Sequence, residues 1–234
     1  MATAMITEQA LYRLMTWLSP SFPVGAYTYS HAIEFAVEEG LITDRNSLCN
    51  WIKAIITHGA GRNDASLFRT AWQAVRDNDT DTLVWAAEMA DALRPTPEMA
   101  LESTAQGQAF LNTLGAVWPD PIFHDWSKTL IQTERPPAYV LCTGVAAAVA
   151  GVPLRLALVA YLHALAANLV SAGVRLVPLG QTDGQLVQAE LEQPVHLAAE
   201  QALTRPIDDF GAAAPMVDWT SMQHETQYTR LFRS

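Results

Sequence analysis

The sequence predicts an all-α protein: a single-domain bundle of roughly eight to ten helices around a central apolar helix pair. Three observations lead there. The stretch Ala138–Gly180 carries one charged residue, Arg155, between Ala138 and Val174, and is apolar on every face. Apolar residues recur elsewhere at spacings of three and four, between recognisable caps and breakers. No alternating run exceeds Val174–Leu179, so strands have almost no support.

Taken in order, Thr7 caps a first helix with Glu8 in its first turn and a stripe of Leu11, Leu14, Met15 and Leu18, ended by Pro20. The loop Ser19–Ser30 is stiffened by Pro20 and Pro23, turned by Gly25, and carries Phe22, Tyr27 and Tyr29. Those rings either pin the loop to the core or form a binding ridge, rigid aromatics being good anchors at low entropy cost. Ser30 caps a second helix to about Glu39, closed by Gly40, with Glu34 suited to the dipole at its start. Asp44 or Asn46 opens a third, with Leu48, Trp51, Ile52, Ile55 and Ile56 inward. After Gly59 and Gly61, Asp64 starts a fourth with Leu67, Phe68, Ala71, Trp72 and Val75. A fifth runs through Leu83, Ala87, Ala90 and Leu93.

Thr96 and Pro97 cap and open the sixth helix. Its mid-helix Gly107 costs about 1 kcal/mol against Ala and points to close approach of a neighbouring backbone. Trp118–Pro121 is a break, and a helix from about Phe123 to Thr133 follows. Gly151 and Pro153 split the central stretch into two helices. The second has Leu154, Leu158, Leu162, Leu165 and Leu169 along one face and alanines around the rest, which suits close helix contact within the monomer or across a dimer seam. Its length approaches the roughly 20 residues of a bilayer span. His163 and Asn168 inside it, the lack of an aromatic belt or basic flank, and only two lysines in the chain favour burial in protein. A last long helix begins at Thr182 with Gln185 at capping-box spacing, runs to about Leu203 and kinks or breaks at Pro194.

At 234 residues, half of them hydrophobic, the chain is long enough for one good core. A net charge of −10 leaves no basic stripe for nucleic acid but leaves room for a basic partner. Cys49 and Cys142 lie far apart without a CxxC pattern, which implies free thiols in a reducing, cytoplasmic setting; the N-terminus lacks the pattern of a secretory signal.

The chain carries few patterns of known chemistry. Gly59-Ala-Gly61 lacks the frame of a phosphate loop. His224-Glu225 opens like the zincin HExxH, but Tyr228 stands where the second His belongs. The other histidines have no ligand partner at metal spacing, and no serine elbow appears. The residues therefore suggest no catalytic site, no metal and no cofactor. The tail is different. After the small-residue linker Gly211–Pro215, Thr220 and Gln223 again have capping spacing, and the chain ends with Leu231 and Phe232 between Arg230 and Arg233, residue types that dominate interface hot spots. The chain divides into a helical domain over 1–210 and a docking tail of the same domain over 211–234.

Three separated motifs carry a resemblance. Ser19-Pro-x-x-Pro-Val-Gly-x-Tyr-x-Tyr-Ser30 with Glu34 is the first. Leu162–Gln185, with Asn168–Ala172, Val174–Gln181 and Asp183–Gln185, is the second, and His224–Ser234 is the third. With Glu102-Ser103 and Gln106-Gly107, the chain resembles the urease accessory protein UreF family over nearly its full length. It departs in two places. Ala32-Ile33-Glu34 stands where the family often has Gly-Leu-Glu, and PTPEMALESTA replaces an arginine-rich helix.

The resemblance implies a dimeric, non-catalytic scaffold that works with a UreD/UreH-type accessory protein and the GTPase UreG. Together they load nickel, with a carbamylated lysine, into apo-urease in a GTP-dependent step, without nucleic acid or membrane. The partner-binding residues it implies are Pro23, Tyr27, Tyr29, Glu34, His224, Glu225, Tyr228, Arg230, Leu231, Phe232, Arg233 and Ser234. Tyr27 and Arg230–Ser234 would help form the cleft that receives the GTPase, and the tail would order when the UreD-type protein binds. Two rival readings stay open at this point: a metal-dependent hydrolase using His224 and Glu225, and a membrane-associated helical protein.

Overall fold

The computed structural model of the chain describes residues 5–234. These form twelve α-helices, one short 3-10 turn and no strand, an all-α bundle. The count passes ten because the last long helix divides at Leu191 and a short helix lies in the C-terminal segment.

The first helix, α1 (Glu8–Trp17), is capped by Thr7, whose Oγ1 accepts from the Ala10 N–H at 3.1 Å. It buries Ala10, Leu14 and Trp17, leaving Leu11 and Met15 of the expected stripe exposed. The indole decides this, because Trp17 meets Phe110 and Trp118 edge to face. After the 3-10 turn Ala26–Thr28 comes α2 (Ile33–Glu38), shorter than the Ser30–Glu39 expected. His31 and Ala32 hold φ of 54° and 63°, so helical geometry cannot begin before Ile33.

Asp44 caps α3 (Arg45–Thr57), its carboxylate accepting from the Ser47 N–H at 2.7 Å. The next helix, α4 (Ala60–Asp77), starts four residues before the expected Asp64. Gly61 fits inside its first turn because a Cβ there would lie 2.7 Å from the Ile56 Cα. Asp64 is then not a cap but a buried carboxylate, 2.8 Å from the Arg94 guanidinium and accepting the Tyr161 hydroxyl at 3.0 Å. Burial, reinforced by Asp64, pushes the Tyr161 phenol well above its ordinary value.

Beyond α5 (Thr80–Ala92), Thr96 caps α6 (Pro97–Val117) and Asp120 caps α7 (Pro121–Gln132). Gly151, at φ 71°, and Pro153 separate α8 (Tyr139–Val149) from α9 (Leu154–Leu176). α8 runs through the centre against α4 and α6. A Cβ on its Gly144 would sit 2.9 Å from the Phe68 carbonyl, so the small residue sets how closely it meets α4. α9 buries Ala157, Leu158, Leu162, Ala166 and Leu169 and leaves Leu156, His163 and Ser171 exposed. By length and composition alone α9 could cross a bilayer, with a mean hydropathy of 1.6, but half of that window is buried inside the bundle.

The chain then breaks at Leu191 between α10 (Gln181–Glu190) and α11 (Glu192–Thr204). Pro194 falls in the first turn of α11, where a missing N–H costs nothing. Thr182 is not the cap of α10; the helix begins after Gly180, whose N–H donates to Asp183 at 3.3 Å. The strap to the last helix is held by arginines from the body: Arg205 donates to the Arg62 carbonyl at 3.0 Å, and Arg62 reaches Asp209 at 2.9 Å. The last helix, α12 (Pro215–His224), opens on Pro215, so Thr220 lies inside it, buried, and caps nothing.

Candidate protein-docking site

The last ten residues leave the helix and lie across the start of the chain. Glu34, in the first turn of α2 and 6% exposed, is the anchor. Its Oε1 accepts from the Leu231 N–H at 2.7 Å and its Oε2 from the Phe232 N–H at 2.9 Å. A carboxylate holding two backbone amides is a charge-assisted clamp, stronger than neutral hydrogen bonds. His224, fully buried at the end of α12, lies between Glu34 (3.3 Å from Nε2) and Glu98 of α6 (2.7 Å from Nδ1). Arg230 adds its guanidinium to Glu98 at 2.6 Å.

Further along, the Ser234 main-chain oxygen accepts from the Ser30 N–H at 2.6 Å and the Ser30 hydroxyl at 2.5 Å. Ser30 thus tethers the tail and is not the expected cap of α2, which begins after Ala32. The Ser234 hydroxyl donates to Glu102 at 2.8 Å, and His31 lies 3.4 Å from the same carboxylate oxygen. Burial alone would push the Glu102 carboxyl up, but His31, the Ser234 hydroxyl and the Arg94 charge hold it below the ordinary carboxylate value. The Arg233 N–H donates to the Thr28 carbonyl at 2.8 Å, tying tail to loop.

The C-terminal half of α9 closes the arrangement. Arg175 donates to the Tyr27 carbonyl at 2.9 Å and lies 4.5 Å from the centre of the Phe232 ring, a cation–π contact. Asn168 donates to the Ala26 carbonyl at 3.1 Å. All three motif segments read from the sequence therefore meet at one place.

Of the twelve residues the resemblance implied, Glu34, His224, Phe232 and Ser234 are buried within this network, and Tyr29 is buried nearby. Pro23, Tyr27, Glu225, Tyr228, Arg230, Leu231 and Arg233 are exposed. Tyr27 is 65%, Leu231 78% and Tyr228 103% exposed, so these three carry the uncovered apolar surface of the site. The sequence reading did not single out Glu98, Arg175 or His31. Glu98 lies in PTPEMALESTA, the segment read as a departure; with Glu102 it supplies the carboxylates that hold the tail. No spacing signal links residues 132 apart in sequence.

His224 and Glu225 do not form a metal-binding pair. The imidazole is buried with both nitrogens on carboxylates while Glu225 is exposed, and no group of three His, Cys, Asp or Glu that could hold a metal occurs among the described residues. A cavity of about 250 Å³ under the site is lined by His31, Asp64, Arg94, Glu102, Tyr161 and Asn168, among others.

Comparison with known proteins decides the family. The UreF family model matches residues 42–192. The urease accessory protein UreF of Granulibacter bethesdensis is 46% identical over 232 residues, covering 99% of this chain and 97% of its own. Those of Magnetococcus marinus and Rhodopseudomonas palustris are each 46% identical, covering 98% and 100% of this chain and 100% and 96% of their own. The chain belongs to the UreF family of urease accessory proteins. In this member, the loop and tail outside the matched 42–192 segment hold the exposed aromatic and aliphatic side chains of the site, while Arg175 and Asn168 inside it fix the loop backbone and Arg175 also meets the Phe232 ring.

Proposed function

We propose that the chain is a non-catalytic scaffold of urease maturation: a dimer that bridges a UreD/UreH-type protein and the GTPase UreG, supporting GTP-dependent nickel insertion into apo-urease. Family membership supports the urease context. The observation that carries the scaffold reading is the seating of the tail. Contrary to the expected ordering on partner binding, the tail is already seated. Glu34 holds the Leu231 and Phe232 amides, Thr28 the Arg233 amide and Ser30 the Ser234 main-chain oxygen, so Leu231 stands out as a preorganised anchor near the exposed Tyr27 and Tyr228. An ordered anchor spends less binding energy on ordering, the usual route to an affinity hot spot. On this reading the UreD-type protein grips the tail, the Tyr27 loop and residues 230–234 contribute to the cleft for the GTPase, and the work takes place in the cytoplasm.

Deletion of Thr229–Ser234 is expected to abolish co-elution with the UreD-type partner in gel filtration while leaving a folded dimer. Because the deletion also uncovers Glu34, the double variant Tyr228→Ala/Leu231→Ala, confined to exposed side chains, is the companion. It should weaken co-elution at least tenfold with unchanged thermal stability. Wild-type co-elution by both variants overturns the reading.

A further inference from the structure

Arg175 stands in the last turn of α9, belongs to neither of the two segments that form the docking surface, and touches both. Its Nε donates to the Ser171 carbonyl of its own helix at 3.1 Å, which anchors one side of the guanidinium. A terminal nitrogen of the same group donates to the Tyr27 carbonyl of the loop at 2.9 Å. The central carbon lies over the Phe232 ring of the tail, 4.5 Å from its centre. A guanidinium spreads its charge over a plane wide enough to lie against a ring while its nitrogens donate elsewhere; an ammonium is a compact point charge and does one or the other. The two contacts therefore support each other. With Phe232 seated, the ring keeps the donor aimed at the loop. Without it, the exposed Arg175 side chain is free to turn into water.

We propose that Arg175 is a positioning residue that couples the Tyr27 loop to the C-terminal tail, so that a protein gripping the tail also steadies Tyr27, and one gripping Tyr27 also steadies the tail. Leu231, the exposed anchor of the tail, is the residue next to Phe232, and Glu34 holds the amides of both. A grip on Leu231 therefore bears directly on the ring under Arg175. Coupling of this kind is reciprocal by linkage. It rests on the scaffold reading for the partners that do the gripping; the coupling itself belongs to the isolated chain. Two other routes join the segments without Arg175: the Arg233 N–H on the Thr28 carbonyl, and Ser30 on the Ser234 main-chain oxygen.

A double-variant cycle on the isolated full-length chain separates the routes, read by amide hydrogen exchange at Thr28 and Tyr29, whose N–H groups close the turn on the Gly25 and Ala26 carbonyls. Phe232→Leu keeps an apolar side chain in the seat and removes the aromatic face. It should lower loop protection about two- to fivefold, the range of an exposed cation–π contact, while α4 and α8 amides keep theirs. Arg175→Lys, which retains the charge, should lower loop protection by itself. In the Arg175→Lys background, Phe232→Leu should then have no further effect on the loop. A full additional drop there would mean that the tail reaches the loop through Arg233 and Ser30, and overturns the proposal. So would unchanged loop protection in either single variant. A spectroscopic readout needs no stability change: the Arg175 side-chain protons should be shifted upfield by the ring in the wild type and return to ordinary values in Phe232→Leu. Ordinary values in the wild type refute the stacking on which the coupling depends. No partner protein enters any of these measurements, so this proposal and the scaffold reading fail separately.

Discussion

At Ala32 the chain accepts a conformation that suits glycine. Its φ of 63° follows directly on His31 at 54°, and each left-handed L-residue costs about 1–2 kcal/mol. The gain lies next door: the double turn places the Ser30 N–H and hydroxyl against Ser234 and aims Glu34 at the tail amides. Where the family often carries Gly, this chain keeps Ala, the smallest side chain that still fills the buried position, at 1% exposure. Ala32→Gly should therefore change unfolding free energy by no more than about 1 kcal/mol, strain relief offsetting the lost methyl. Ala32→Val, β-branched at positive φ and buried, should lose more than about 2 kcal/mol. Urea denaturation of the two variants measures the difference, and equal losses would remove strain as the explanation.

Among the helices, α6 shows how one residue sets a packing distance. A Cβ on Gly107 would lie 1.8 Å from the Pro137 carbonyl oxygen, so the mid-helix glycine lets the Pro136-Pro137 segment cross α6 in contact. Gly115, two turns on in the same helix, has open space around its missing Cβ. The pair gives an internal control. Gly107→Ala should destabilise by about 3 kcal/mol or more, since backbone must move to admit the methyl. Gly115→Ala should gain up to about 1 kcal/mol from helix propensity alone. Thermal unfolding in which both variants shift the same way would contradict this account. The close approach at Gly107 was legible in the sequence as a misplaced helix breaker; the identity of the crossing segment was not, because nothing local to residue 107 records what lies 30 residues ahead.

For the molecule as a whole, acid is one condition that should loosen the tail from the body. Glu102 is held below the ordinary carboxylate value in the folded chain, so its contribution is fully present above about pH 4.5 and is lost as pH falls through its lowered folded value. Because Glu102 carries both His31 and Ser234, protonation there weakens the loop and the tail together. Chemical denaturation between pH 6 and pH 3 should show stability falling with acid, and Glu102→Gln should be less stable at pH 6 with a shallower decline. An identical pH slope in the variant would rule Glu102 out as the titrating link.

The sequence by itself determined most of the helices, the caps Thr7, Asp44 and Thr96, the split at Gly151 and Pro153, and the three segments that meet at the tail. Each of these is written in spacing and in residue types acting over a few positions. Tertiary structure alone decided the rest. It turned Trp17 inward in place of Leu11 and Met15, made Asp64 a buried ion-pair partner instead of a cap, and recruited Glu98, Glu102 and Arg175 to hold the tail. Charges placed on separate helices pair only after the bundle has brought them within hydrogen-bonding distance, and no local pattern encodes that meeting.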